Sequence, residues 1–124
     1  MIETIELKRT ERGWAGHFCA SDACLFRRNT LLECCGVKVV VSTVGNYSYK
    51  GKVSTIGVNR YYETMAFFAQ DDEYNDADVS RQIWLDTNCE ITSMDGLPDL
   101  RANEMHEKAV DEISDRLIKG ALEL

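Results

Sequence analysis

No long apolar run occurs in this sequence: the longest, such as Val39 to Val41, last only a few residues, far short of the ~20 that cross a bilayer as a helix. The opening stretch Met1-Ile-Glu-Thr-Ile-Glu has no basic segment followed by an apolar one, so no signal peptide is read there. A cytoplasmic protein without a membrane partner is expected. The Asn46-Tyr47-Ser48 sequon is then without use, because glycosylation needs a secretory route. Catalytic signatures are equally scarce. There is no G-x-S-x-G, no G-x-x-x-x-G-K-[ST] and no H-E-x-x-H, and the only histidines are His17 and His106. A non-enzymatic protein is the expectation.

Cysteine is plentiful, but its pattern is uninformative for disulfides. Cys19, Cys24, Cys34, Cys35 and Cys89 make an odd count with one adjacent pair and no C-x-x-C. In a reducing compartment they are expected to behave as small apolar residues. His17, Cys19 and Cys24, with Cys34 and Cys35 soon after, match no zinc spacing. The acidic segment Asp71 to Asp78 fails as an EF-hand loop, holding Asp76 and Gln82 where glycine and glutamate are needed. It reads as a solvated acidic loop. Neither a metal nor a cofactor is expected. A Cys24–His17 nucleophile–base pair can be drawn on paper, but nothing in the sequence fixes its geometry.

What the chain does have is charge asymmetry. Its 124 residues suit one domain, residues 1–124. The first 62 residues hold nine basic and five acidic side chains, and the last 62 hold five basic and sixteen acidic. A net charge of −7 argues against a long nucleic-acid partner, yet leaves room for one small anion in a local basic pocket.

Residues 1–90 read mainly as strands. Ile5, Leu7 and Arg9 alternate with Glu6 and Lys8. Gly13 to Ala20 reads as a second strand, and Cys24 to Cys35 as a third with a bend or bulge at Asn29-Thr30. Val37 to Val44, β-branched nearly throughout, is the clearest strand and is expected to end at Gly45-Asn46. Lys50-Gly51-Lys52 marks a hairpin turn into Val53 to Ile56. Arg60 to Gln70 leans to strand over helix, and Ile83 and Leu85 alternate with Gln82, Trp84 and Asp86. The period then changes. Met105, Ala109, Ile113 and Leu117 recur every four residues, flanked by Val110 and Ile118, predicting an amphipathic helix over 99–120. Pro98 and Asp99 suit its start and Gly120 its end. The fold class is therefore α+β: an antiparallel β-sheet with a C-terminal amphipathic helix packed on it.

Arginines and aromatics supply the candidate site. Arg27 and Arg28 are adjacent on an extended segment and project to opposite faces. Arg60 precedes Tyr61-Tyr62, and Arg81 precedes Ile83 and Trp84. An arginine–phosphate contact contributes about 1.5–3 kcal/mol, and stacking of a base on an aromatic ring about 1–3 kcal/mol. Two readings stand side by side. The arginines gather at a sheet end around a planar phosphorylated ligand, or they form surface pairs with carboxylates of the second half, each worth little.

Six blocks carry a resemblance: Glu11 to Phe18, Cys24 to Leu32, Val40 to Gly45, Arg60 to Phe67, Asp76 to Arg81 and Ala102 to Glu107. Together they resemble a family of short proteins encoded by phages and prophages, across nearly the whole chain. After Phe18 the chain departs from the pattern with Cys19-Ala20. The resemblance implies anti-defence proteins related to the Thoeris sponges, oligomeric binders that sequester cyclic ADP-ribose isomers and, in some members, cyclic oligonucleotides such as those of CBASS signalling. It implies a homo-oligomer in the host cytoplasm that captures a cyclic nucleotide without cleaving it. The ligand-binding set implied is Trp14, Arg27, Arg28, Arg60, Tyr61, Phe67, Arg81 and Asn103. The alternative expectation is an acidic inhibitor of a host defence protein such as a CRISPR effector, its acidic loop and helix face imitating nucleic acid.

Overall fold

The computed structural model describes residues 6–14, 16–17, 24–49, 52–54, 62–85, 90–91, 98–120 and 122, with backbone alone at 24–25, 46–49, 52–54, 90–91 and 98–99. Among the described residues, seven strands precede one helix: β1 (Lys8–Arg12), β2 (Cys24–Cys34), β3 (Val37–Tyr49), β4 (Lys52–Ser54), β5 (Tyr62–Ala69), β6 (Ala77–Ile83), β7 (Glu90–Ile91) and α1 (Pro98–Ile118). All pairings are antiparallel, in the order β1-β2-β3-β5-β6, with β4 on β3 and β7 on β5. The helix crosses the face formed by β2, β3 and β5. This is the α+β arrangement the sequence predicts.

Alternation along the strands decides the two faces. Leu32 and Cys34 of β2, Val39 and Val41 of β3, and Tyr62 and Ala66 of β5 meet Ala102, Met105, Ala109, Val110, Ile113 and Leu117 of α1 in the main core. The opposite face carries a smaller cluster of Leu31, Val40, Phe67 and Ala77. Burying each large aliphatic side chain contributes about 1.5–3 kcal/mol. This anchors a helix that alone would be marginal in water.

The local expectations fare unevenly. The helix spans Pro98–Ile118, and Gly120 follows in the left-handed region (φ 70°), as a terminator should. Ile118, counted in the apolar stripe, is instead 44% exposed. No bulge interrupts Asn29-Thr30: both lie in register opposite Ser42 and Val41, fully buried. Strand β3 runs past Gly45 to Tyr49, because Gly45 lies opposite Tyr62 and the tyrosine ring covers the space a side chain would fill. Gly13, Trp14, Gly16 and His17 are bends, not strand. The loop they form folds onto the sheet face, held by bonds from Gly16 and His17 to Ser42. Lys52–Ser54 pair antiparallel with Tyr47 to Tyr49, as the expected hairpin requires; Lys50-Gly51 and residues 55–56 lie outside the described residues.

Cys35 and Gly36 join β2 to β3 with φ of 56° and 79°. Both residues in the left-handed region, with Cys34 paired to Val37 on either side, define a two-residue hairpin whose twist matches its strands.

Candidate functional site

A cleft of about 740 Å³ lies where the β2–β3 turn and the β5–β6 loop come side by side, a volume within the range of small-molecule sites. The antiparallel register makes this unavoidable: Val39 faces Phe68, so the start of β3 and the end of β5 share one end of the sheet. Gly36, Lys38, Gln70, Asp71, Asn75, Asp78 and Arg81 line the cleft. The register slips between Phe67 and Ala69, a bulge opposite Gln82 and Ala77 that re-aims the intervening β6 side chains. Arg81 consequently lies over the Phe68 ring, 4.6 Å from its centroid. Among the described residues its guanidinium makes no hydrogen bond and no ion pair within 4 Å, although its charge helps hold the Asp78 carboxyl below the ordinary range. Lys38 Nζ reaches Asn75 Oδ1 at 3.4 Å and Glu33 at 3.6 Å.

Beyond the 74–76 segment lies an aromatic shelf. Trp14 and Tyr74 meet edge to face at 6.3 Å, and Trp14 Nε1 donates to Asp76 Oδ1 at 3.0 Å. Arg12 places its guanidinium 4.8 Å from the Trp14 ring centre and donates to the Tyr74 and Asn75 carbonyls. Burial lowers the Arg12 pKa against the pull of Asp76 and Asp72. A hollow of about 290 Å³ opens against Trp14, Tyr74 and Asp76.

The acidic loop is tied down by its own bonds. Asp72 accepts from the Asp76 amide at 3.2 Å, and Asp78 accepts from both the amide and hydroxyl of Ser80, which holds its carboxyl below the ordinary range. Among the described residues no group of three or more His, Cys, Asp or Glu is placed to hold a metal ion.

Two polar relays have no signature in the sequence. On the face away from the helix, Ser42 Oγ accepts from the Gly16 amide at 3.1 Å and lies 2.7 Å from His17 Nδ1, while His17 Nε2 lies 3.0 Å from Glu63 Oε1. The order acid–imidazole–hydroxyl is that of a serine nucleophile with its base. Ser42 nevertheless has no accessible surface, so no substrate atom reaches its oxygen. The relay clasps the 13–17 loop to the sheet. Beside it Asn29, whose Oδ1 takes two bonds from Arg12, leaves its buried Nδ2 without a partner among the described residues.

Under the helix runs the second relay. Glu11 Oε1 accepts from Thr30 Oγ1 at 2.8 Å, Thr30 Oγ1 lies 2.7 Å from His106 Nε2, His106 Nδ1 lies 2.7 Å from Thr43 Oγ1, and Thr43 lies 2.6 Å from Thr64 Oγ1. With the Thr30 proton given to the carboxylate, Nε2 must donate and Nδ1 must accept. Burial, reinforced by Arg28, pushes His106 down to about 3, so the imidazole is neutral. Burial would raise the Glu11 carboxyl, but bonds from Arg9 and Thr30 and the charges of Arg28 and Arg9 hold it below its usual range.

The eight expected ligand residues therefore separate. Arg27 and Arg28 do take opposite faces. Arg27 Nε donates to the Gly13 carbonyl at 3.2 Å, and Arg28 pairs with Glu11 at 2.8 Å beneath the helix. Phe67, 2% exposed, belongs to the second core and has no face to offer a base. Asn103 is exposed on α1. Trp14 lines the shelf, and Arg81 lines the cleft. Arg60 and Tyr61 lie outside the described residues. Lys38, Gln70 and Asn75 were missed by sequence reading, because only the strand register gathers them.

No protein-family model, curated protein or solved structure matches the chain.

Proposed function

We propose that this protein is a non-catalytic binder that captures a small phosphorylated, planar ligand, a cyclic nucleotide, in the cleft between the β2–β3 turn and the β5–β6 loop. One observation carries the reading: Arg81 lines that hollow with its guanidinium free of hydrogen bonds and ion pairs among the described residues, and Lys38 lines the same hollow. Two cations from separate strands serve a phosphate, and the side-chain amides of Gln70 and Asn75, each giving one N–H to a backbone carbonyl, keep a second N–H for a base edge. The Trp14–Tyr74 shelf beyond the 74–76 segment provides aromatic surface for stacking. The carboxylates of Asp71 and Asp78 in the same lining oppose a highly charged anion and favour a ligand with few phosphates.

The resemblance to phage anti-defence sponges directs the choice of ligands: cyclic ADP-ribose isomers first, then cyclic oligonucleotides. In that role the protein works in the host cytoplasm as a homo-oligomer. Exposed Val79 and Trp84, at and just after the edge strand β6, are 68% and 77% accessible and supply apolar surface for self-association. Among the described residues no helix is long and apolar enough to cross a membrane.

Isothermal titration against a panel of cyclic nucleotides tests the reading, with light scattering for assembly. Heat release on binding, followed by recovery of the unaltered nucleotide after denaturation, is the expected result. Silence across the panel overturns it and redirects the search to a host defence protein as partner. A cleaved nucleotide would make the protein a hydrolase.

A further inference from the structure

We infer that Cys34 and Cys35 form a two-thiol capture site for a soft trivalent metalloid centre, of the class of monosubstituted arsenic(III) compounds. The two sulfurs lie 3.3 Å apart. Cys35 is exposed at the hairpin turn, whereas Cys34 is 3% accessible. A hydrogen bond with Cys35, then burial, pushes the Cys34 thiol up, and the exposed Cys35 sulfur meets reagents first.

The geometry disfavours a direct sulfur–sulfur bond. Across a trans peptide the two Cα atoms stand about 3.8 Å apart, less than the ~4.4 Å minimum usual for a disulfide, and the sulfurs would have to close to ~2.05 Å. The hairpin resists that movement, because Cys34 is locked opposite Val37 and Cys35 already occupies the left-handed region. A bridging atom needs no such closure. With bonds of ~2.3 Å, the length typical of a metal–thiolate bond, sulfurs 3.3 Å apart subtend roughly 90° at the bridge. That angle is too narrow for a tetrahedral ion and suits a pyramidal centre carrying a lone pair. Zinc is further disfavoured, since among the described residues no third and fourth ligand stands near enough to complete a cage.

The step balances without an oxidant. Both S–H bonds and the arsenic–oxygen double bond break, two arsenic–sulfur bonds form, and the oxygen leaves as water with the two thiol protons. Cys35 attacks first and Cys34 closes the ring. Gly36, the next residue, lines the cleft, so the captured centre sits at its rim.

Phenylarsine oxide and the full chain provide the test. One adduct per chain is expected by intact mass, mapped by peptide fragmentation to the 34–35 pair, stable to excess 2-mercaptoethanol and removed by 2,3-dimercaptopropanol. C35S, a change at an exposed turn, should lose that adduct while keeping its circular dichroism spectrum. C34S serves as the second variant, and peptide mapping of the unaltered chain does not depend on either. An adduct mapped only to Cys19, Cys24 or Cys89, one retained in C35S, or one stripped by the monothiol overturns the inference.

Discussion

His106 Nε2 and Thr30 Oγ1 lie 2.7 Å apart, joining the helix to the centre of the sheet through a polar contact inside the main core. The pair belongs to a directed chain in which Thr30 and Thr43 each donate once and accept once, with the Glu11 carboxylate at one end and Thr64 at the other. A buried polar chain of this kind stabilises only while every member is satisfied.

Removing one member should therefore be costly. Thr43→Val takes the donor from His106 Nδ1 and the acceptor from Thr64, leaving both unpaired with the methyl volume intact. A loss of about 1–3 kcal/mol is expected for such orphaned buried groups, read as a lower urea midpoint at unchanged slope.

The same histidine sets a pH dependence. Its folded pKa of about 3 lies below the unfolded value near 6.5, so the unfolded chain binds the extra proton between those limits. Stability from this group is fully present above pH ~6.5 and falls as pH drops toward 3, by about 2 kcal/mol at pH 5. Glu11, whose carboxyl is held below its ordinary range, adds a loss of the same sign beginning at more acidic pH. Urea titrations at pH 8 and pH 5 should show the drop, and His106→Gln should flatten it. An equal drop in that variant would assign the effect elsewhere.

Gly45 and Tyr62 form a second dependent pair. A β-carbon at position 45 would run into the tyrosine ring, which also meets Phe26 edge to face at 5.4 Å. Gly45→Ala should cost about 1–3 kcal/mol through overpacking. Most of that cost should vanish in a Tyr62→Ala background, so a double-mutant cycle gives a clear coupling energy.

Two arginines should answer differently to the same change. Arg81→Ala removes a cation from the cleft and should weaken capture of a cyclic nucleotide by about 1.5–3 kcal/mol, roughly 10- to 150-fold, with stability lower by at most about 1 kcal/mol from the lost contact with Phe68. Arg28→Ala breaks the pair with Glu11 and should lower stability by about 1 kcal/mol while leaving ligand affinity alone. Calorimetry and urea unfolding on both variants separate the roles. Weakened binding in R28A but not R81A would move the site to the helix face.

Periodicity made the helix and most strands legible, because α1 and the sheet each bury one face and the sequence must repeat with that face. The alternation that sends Arg27 and Arg28 to opposite sides was legible for the same reason. Within the expected 13–20 strand, the described residues Gly13, Trp14, Gly16 and His17 are bends: Gly16 and His17 spend their polar groups on Ser42 and Glu63 instead of a neighbouring strand. Phe67 looked like a stacking platform and is core, since nothing local to the Phe67-Phe68 pair tells which ring lies under Arg81 and which faces inward.

By itself the sequence determined the α+β class and the approximate extent of the helix, because both rest on residue periods, a local property. Only the tertiary structure decided that Lys38, Asn75 and Arg81 border one cleft and that His106 sits neutral beneath the helix. Lys38 lies tens of residues from Asn75 and Arg81, as His106 does from Thr30 and Thr43, and strand register brings them together, a property of pairs of segments that no single segment encodes.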